Sequence, residues 1–228
     1  MSSPSPDKLK VVLLGESGVG KTSIISQFIS GKFDSDCISS LSAQYISKTV
    51  DFNDINKSIK FDIWDTAGQE KFRALAKIFY RDAKVICLCY DISSEKSFIE
   101  LKDYWYEQQV KLFSEGDPIY AVVANKSDLY AKSEVPDEKG KAFAKEINGI
   151  FQSTSAKSNS GINILFNNIG HKYFDPNFDT NAKESKEKQE YEKKKSQKQQ
   201  QKTQQLPQTR GVKLDSNKAK PQKKGGCC

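Results

Sequence analysis

Short apolar runs alternate with amphipathic stretches over the first three quarters of the chain. Residues 9–14, 59–64, 85–90 and 119–124 read as strands. The runs Val85-Ile86-Cys87-Leu88-Cys89 and Ile119-Tyr120-Ala121-Val122-Val123 are nearly continuous in apolar character. Such runs fit strands covered on both faces, as in a parallel sheet. Residues 45–52 and 59–64 flank a polar turn, 53–58, and predict a hairpin with one antiparallel edge strand. Helical spacing predicts helices over 22–29, 97–113, 137–147 and 161–171. In the second of these, Phe98, Leu101, Trp105 and Leu112 fall on one side and predict a buried face. This alternation of strand and helix predicts an α/β, doubly wound fold, with ligands bound beyond the carboxyl ends of the strands.

Composition extends the picture at both ends. Hydrophobic residues make up 36% and charged residues 29%, which suits a soluble domain with a modest core. No apolar run approaches the ~20 residues that span a bilayer. Residues 1–7 are rich in Ser and Pro without a signal-peptide core, so a flexible N-terminus and a cytosolic setting are expected. Residues 183–205 are dominated by Lys, Glu and Gln and cannot bury enough surface to offset chain entropy, which predicts disorder. The net charge of +7 sits entirely in residues 175–228, with 14 basic against 7 acidic residues, while residues 1–174 hold 22 of each. A basic tail points to an anionic partner, either nucleic acid or a membrane surface. Cys37, Cys87 and Cys89 lie within the domain and Cys227 and Cys228 end the chain, which is no disulfide framework. Cys87 and Cys89 read as core packing in a strand. His171, the single histidine, reads as a surface or helix-end residue without a role.

The chemistry begins at Gly15-Glu16-Ser17-Gly18-Val19-Gly20-Lys21-Thr22, with Ser23 following. It lies after a strand and opens a helix, the setting of a phosphate-binding loop. Glycines let successive N–H groups point at phosphate oxygens, and the helix N-terminus adds favourable partial charge. Lys21 would reach the β- and γ-phosphates, and Thr22 would ligate Mg²⁺. Trp64-Asp65-Thr66-Ala67-Gly68-Gln69-Glu70 follows another strand. There Asp65 is placed to hold Mg²⁺ through water, Gly68 to present its N–H to the γ-phosphate, and Gln69 to orient the attacking water. After a further strand comes Asn125-Lys126-Ser127-Asp128, whose carboxylate can accept both guanine N1–H and the exocyclic amine. Thr154-Ser155-Ala156-Lys157 would supply backbone N–H to guanine O6. Any one of these segments could be a turn. In this order, with the first three each after a strand, they point to GTP.

With these motifs the chain resembles the Ras superfamily over about residues 8–174, and within it the Rab family. Lys60-Phe61-Asp62-Ile63-Trp64-Asp65, Lys71-Phe72-Arg73-Ala74-Leu75, Phe79-Tyr80-Arg81-Asp82-Ala83 and Tyr90-Asp91-Ile92-Ser93 look like four short Rab segments. The resemblance implies a P-loop NTPase with a six-stranded, mostly parallel sheet, one antiparallel strand and helices on both faces. It implies that Phe33 packs on guanine and that Tyr45, Trp64 and Phe79 face effectors. The first switch departs from the family: Ser40 stands where Rabs carry the magnesium-binding threonine, Ser42 where they carry Gly, and Ala43-Gln44-Tyr45 replaces a more apolar stretch. Ser40 keeps the hydroxyl but lacks the methyl that packs the closed loop, so weaker closure is expected.

Function follows as expectation: a GTP/GDP switch in vesicle trafficking. Arg73 and Arg81 match segments in and after the second switch, not a built-in arginine finger. A finger contributes about 10³–10⁵ in kcat, so slow intrinsic hydrolysis and a separate activating protein are expected. The ending Lys223-Lys224-Gly225-Gly226-Cys227-Cys228 lacks the four-residue prenylation box and looks like the Rab ending, where both thiols take geranylgeranyl groups. Two chains suit stable anchoring, and Lys213, Lys218, Lys220, Lys223 and Lys224 favour an anionic surface. The implied partners are an exchange factor, an activating protein, a GDP-dissociation inhibitor, an escort protein, geranylgeranyl transferase and GTP-state effectors. The expected location is the cytoplasmic face of intracellular membranes, with a soluble pool. Competing readings are a Ras-superfamily signalling GTPase outside trafficking, and a GTP-binding scaffold with negligible hydrolysis. Nucleic-acid binding is disfavoured, since the Lys/Gln run carries a single aromatic, Tyr191.

Overall fold

The computed structural model describes residues 5–34, 44–65 and 80–178. Strand β1 (Asp7–Leu14) leads into helix α1 (Lys21–Ser30). Strands β2 (Gln44–Phe52) and β3 (Lys57–Asp65) form the expected hairpin. After β4 (Val85–Asp91), helix α2 opens as Glu95–Glu100, continues as a π-helical segment, Leu101–Val110, and closes as Lys111–Phe113. Then come β5 (Ile119–Asn125), a 3₁₀ turn (Ser127–Lys132), α3 (Asp137–Glu146), β6 (Ile150–Ser153) and α4 (Ile162–Phe174).

The six strands form one sheet in the order β2-β3-β1-β4-β5-β6, parallel except for β2. From β1 the chain crosses to the edge strand β2 and returns through β3 to the side of β1, then adds β4, β5 and β6 outward on the other side. The strand order therefore reverses at β1, and the crevice at its carboxyl end is where such sheets bind ligands.

Strand alternation splits the core in two. Leu9, Val11 and Leu13 face one side, with Ile24, Ile25 and Phe28 of α1 and Leu165, Phe166 and Ile169 of α4. Val12 and Leu14 face the other, with Phe98, Leu101 and Trp105 of α2 and Phe143 and Ala144 of α3. Phe28 stacks on Phe166 at 3.6 Å between ring centroids and meets Phe61 edge-on at 5.9 Å, which locks α1 and α4 against the sheet. Cys87 and Cys89 are fully buried in β4, and burial pushes the Cys89 thiol up to about 12, so both act as small apolar groups there.

One expectation needs correction, and two are made more definite. Leu112 does not join the buried face of α2; it is 65% exposed. The π-helical register widens each turn, so Val110 takes the inward position five residues after Trp105. His171 is at a helix end but not on the surface: it is buried, 3.2 Å from Asp54 and stacked on Phe178 at 5.0 Å. Packing around Phe52 drives this, because the Phe52 ring lies directly over Gly170 and edge-on to His171 at 5.5 Å. The sixth strand, finally, occupies Ile150–Ser153, a run too short and too mixed for the hydrophobic pattern to single out.

Candidate functional site

The loop after β1 is shaped by glycines at points of close approach. At Gly15 the backbone has φ +145°, and an added Cβ would lie 2.1 Å from the Cys89 carbonyl oxygen. Gly20 has φ +95°, and a Cβ there would lie 2.4 Å from Nδ2 of Asn125. Any side chain at either position would drive the loop off the end of the sheet. Gly20 caps α1 without a side-chain acceptor, and no acidic residue lies in the first turn. The positive end of α1 is thus kept for an anionic ligand.

Lys21 folds back over the loop. Its ammonium donates to the carbonyls of Gly15 at 2.8 Å and Glu16 at 2.9 Å. Burial pushes its pKa down, while the Asp65 and Glu16 carboxylates push the other way. Next to it, the Thr22 hydroxyl donates to Asp65 Oδ2 at 2.7 Å. Asp65 ends β3 and is buried, directly beside the end of β1 through the Leu13–Asp65 pairing. A hydroxyl and a carboxylate in contact form a hard oxygen donor set, which suits Mg²⁺.

The second half of the site rises from β5 and β6. Asn125 is fully buried; its Nδ2 donates to the Val19 carbonyl at 2.8 Å, and its Oδ1 accepts from the Thr154 hydroxyl at 3.1 Å. One side chain therefore joins the phosphate-type loop to both loops at the far end of the sheet. Asp128 is exposed and accepts from the Ser155 hydroxyl at 2.6 Å. Ser127 N–H donates to the Thr154 carbonyl at 3.0 Å. Lys126 adopts φ +64° and pairs with Asp91 at 2.7 Å. Ser155 and Ala156 are buried, while Lys157 is exposed.

The structure thus brings Gly15, Glu16, Ser17, Gly18, Val19, Gly20, Lys21, Thr22, Ser23, Asp65, Asn125, Lys126, Asp128, Ser155, Ala156 and Lys157 to the carboxyl edge of one sheet. Phe33, 40% exposed, follows α1. Tyr45 and Trp64 are cross-strand neighbours with ring centroids 5.2 Å apart. Tyr45 is half exposed and its hydroxyl donates to Asp62 at 2.8 Å, whereas Trp64 is partly buried against the second core. Ser40, Ser42, Gly68, Gln69, Phe79, Cys37, Cys227 and Cys228 lie outside the described residues.

Two contributors are not among the site residues expected from the sequence, although Asp91 falls in the Rab-like segment Tyr90-Asp91-Ile92-Ser93. Trp105 of α2 donates its indole N–H to Glu16 Oε1 at 3.4 Å, although its spacing marks it only as a core residue. Asp91 braces Lys126, and its signal is positional: a carboxylate at the carboxyl end of a buried parallel strand, like Asp65.

A six-stranded sheet with a glycine loop, a buried lysine and paired Thr and Asp at its carboxyl edge defines a P-loop nucleotide-binding protein. The family model for the Ras family matches residues 10–175. Human Rab-22A is 41% identical over 176 residues, covering 76% of this chain and 87% of that protein. Rab5A of Oryza sativa subsp. japonica is 38% identical over 165 residues, covering 72% and 78% respectively. Rab-5A of Dictyostelium discoideum is 40% identical over 167 residues, covering 72% and 80%. The chain belongs to the Rab family of Ras-type small GTPases, and it is a GTPase.

Proposed function

We propose that this protein is a GTP/GDP switch that regulates vesicle trafficking at the cytoplasmic face of intracellular membranes, with a soluble pool. The observation that supports it most is the joining of the phosphate-type loop to the base-type loops by Asn125. In this reading residues 8–174 are the GTPase domain, and residues 175–228 carry it to the membrane. The loop from Gly15 to Ser23 holds the phosphates. Phe33, Asn125, Lys126, Asp128, Ser155, Ala156 and Lys157 hold guanine. Thr22 and Ser40 directly, and Asp65 through water, would hold Mg²⁺; when bound, the ion supplies charge neutralisation at the phosphate oxygens. Lys21 holds the β- and γ-phosphates, Gly68 donates its N–H to the γ-phosphate, and Gln69 orients the attacking water. Hydrolysis is slow alone and is accelerated by a separate activating protein.

An exchange factor reloads GTP, and effectors read the GTP form through Tyr45, Trp64 and Phe79. Cys227 and Cys228 carry geranylgeranyl groups, added by the transferase with an escort protein and shielded by a GDP-dissociation inhibitor. Among the described residues no helix is long and apolar enough to cross a membrane, and a lipid anchor serves where a span would not.

The test uses the full chain in eukaryotic cells. Intact mass is expected to show two geranylgeranyl additions, and the Cys227→Ser, Cys228→Ser double variant is expected to leave the membrane fraction. Thr22→Asn is expected to slow cargo delivery. An unmodified C-terminus would refute the anchor, and cargo transport insensitive to Thr22→Asn would refute the trafficking role.

A further inference from the structure

We propose that Asp91 is a positioning residue for guanine recognition, holding Lys126 and through it the loop that carries Asp128. This rests on the reading that Asn125, Lys126 and Asp128 form the base site.

β4 ends at Asp91 and β5 at Asn125, and the two residues are partners in the parallel register. The Asp91 carboxylate therefore stands beside the first residue of the base loop. Its Oδ2 lies 2.7 Å from the Lys126 ammonium. Its Oδ1 accepts from the Ser93 N–H at 2.9 Å and the Ser93 hydroxyl at 2.7 Å. The Asp91 backbone is fixed as well: its N–H donates to Ser97 Oγ at 3.1 Å, and its carbonyl accepts from the Ser94 N–H at 3.0 Å. Asp91 is thus a rigid, nearly buried anion anchored to the start of α2.

Lys126 needs such a tether. Its backbone sits at φ +64°, a region that a long side chain adopts only when its surroundings impose it. On one side the ammonium is held by Asp91. On the other, Ser155 holds Asp128 at 2.6 Å, and Ser127 is bonded to Thr154 at 3.0 Å. The base loop is therefore strung between β4 and the loop after β6, and Asp91 is its β4 anchor. Burial pushes the Asp91 carboxyl pKa up, but the Lys126 and Ser93 contacts outweigh it and leave the pKa below its ordinary value. The Asp91 carboxylate is accordingly ionised at neutral pH.

Loss of the anchor should affect most the two contacts that depend on Asp128, those to guanine N1–H and the 2-amino group, of which inosine keeps only the first. Inosine nucleotides should therefore be affected less. This separates positioning from mere bracing, which would weaken both nucleotides alike.

The experiment measures dissociation of fluorescent N-methylanthraniloyl GDP and IDP from the Mg²⁺-loaded wild-type protein, Asp91→Asn, Lys126→Met and the double variant. Asp91→Asn is expected to speed GDP release about tenfold and IDP release less than about threefold, as for loss of one charged hydrogen bond. The double variant is expected to match Lys126→Met alone. Equal acceleration of GDP and IDP, rates near wild type for Asp91→Asn, or multiplicative single effects would overturn the proposal. Wild-type protein that releases GDP and IDP equally would instead sink the base-site reading, and the proposal with it. Should Asp91→Asn fail to fold, Ser93→Ala takes its place: it removes one bond to the same carboxylate and is expected to speed GDP release selectively by about threefold. No GDP-selective change in Ser93→Ala would also overturn the proposal.

Discussion

The phosphate-type loop and the base-type loops sit on the same sheet edge but are held by different means. The first is held by backbone: glycines at Gly15 and Gly20 let it press on Cys89 and Asn125, and Lys21 returns to its own loop carbonyls. Side chains far apart in sequence hold the second, through Asp91 on Lys126, Ser155 on Asp128 and Thr154 on Asn125. Backbone shape tolerates no side chain, whereas side-chain braces can be removed one at a time. The two regions should therefore fail differently.

The largest effect is expected at Gly20→Ala. Its Cβ would meet Asn125 Nδ2 at 2.4 Å in a left-handed backbone, so the clash strikes both regions at once. Nucleotide affinity should fall by about 100-fold or more, read by equilibrium titration. Tight binding by this variant would break the contrast.

Asn125→Ala comes next. It orphans the buried Val19 carbonyl and Thr154 hydroxyl, so a loss of about 2–4 kcal/mol is expected in denaturant unfolding. A loss under about 1 kcal/mol would mean that Asn125 is not the link between the regions.

Ser155→Ala should cost less. Two hydrogen bonds of a buried hydroxyl disappear, the one to exposed Asp128 and the one accepted from the Ser158 N–H at 3.1 Å, together worth about 1–2 kcal/mol. A severalfold faster GDP release is expected, with a smaller loss of stability than in Asn125→Ala.

Acid provides the smallest and most selective probe. The folded-state pKa of Asp91 lies below its ordinary value of 3.8, so its contribution is present above that value. It is lost as pH falls through the lower folded value. The stability gap between wild type and Asp91→Asn should therefore begin to narrow as pH falls towards 3.8 and go on narrowing below it, through the lower folded value. A constant gap would show that the Asp91 charge contributes nothing.

The same contrast explains what could be read in advance. Five strands and four helices follow from local periodicity, and the loop at Gly15–Thr22 from residues adjacent in the chain. β6 escaped because four residues with Gln152 and Ser153 among them carry too little pattern. The exposure of Leu112 escaped because spacing assumes an α-helical turn, and Leu101–Val110 winds wider. Burial of His171 depends on Phe52, more than a hundred residues earlier, packing over Gly170. The bracing of Lys126 by Asp91 depends on two parallel strands ending level. The last two were hidden because each is a contact set by tertiary packing between residues far apart in the chain.

Single-turnover hydrolysis of GTP by the purified protein, with and without Gln69→Leu, tests the account most directly. The wild-type rate is expected on the order of 10⁻⁴–10⁻² per second, with a marked further drop in Gln69→Leu and unchanged GTP affinity. Rapid unaided turnover, or a rate indifferent to Gln69, would contradict the account of a switch that is finished by a partner.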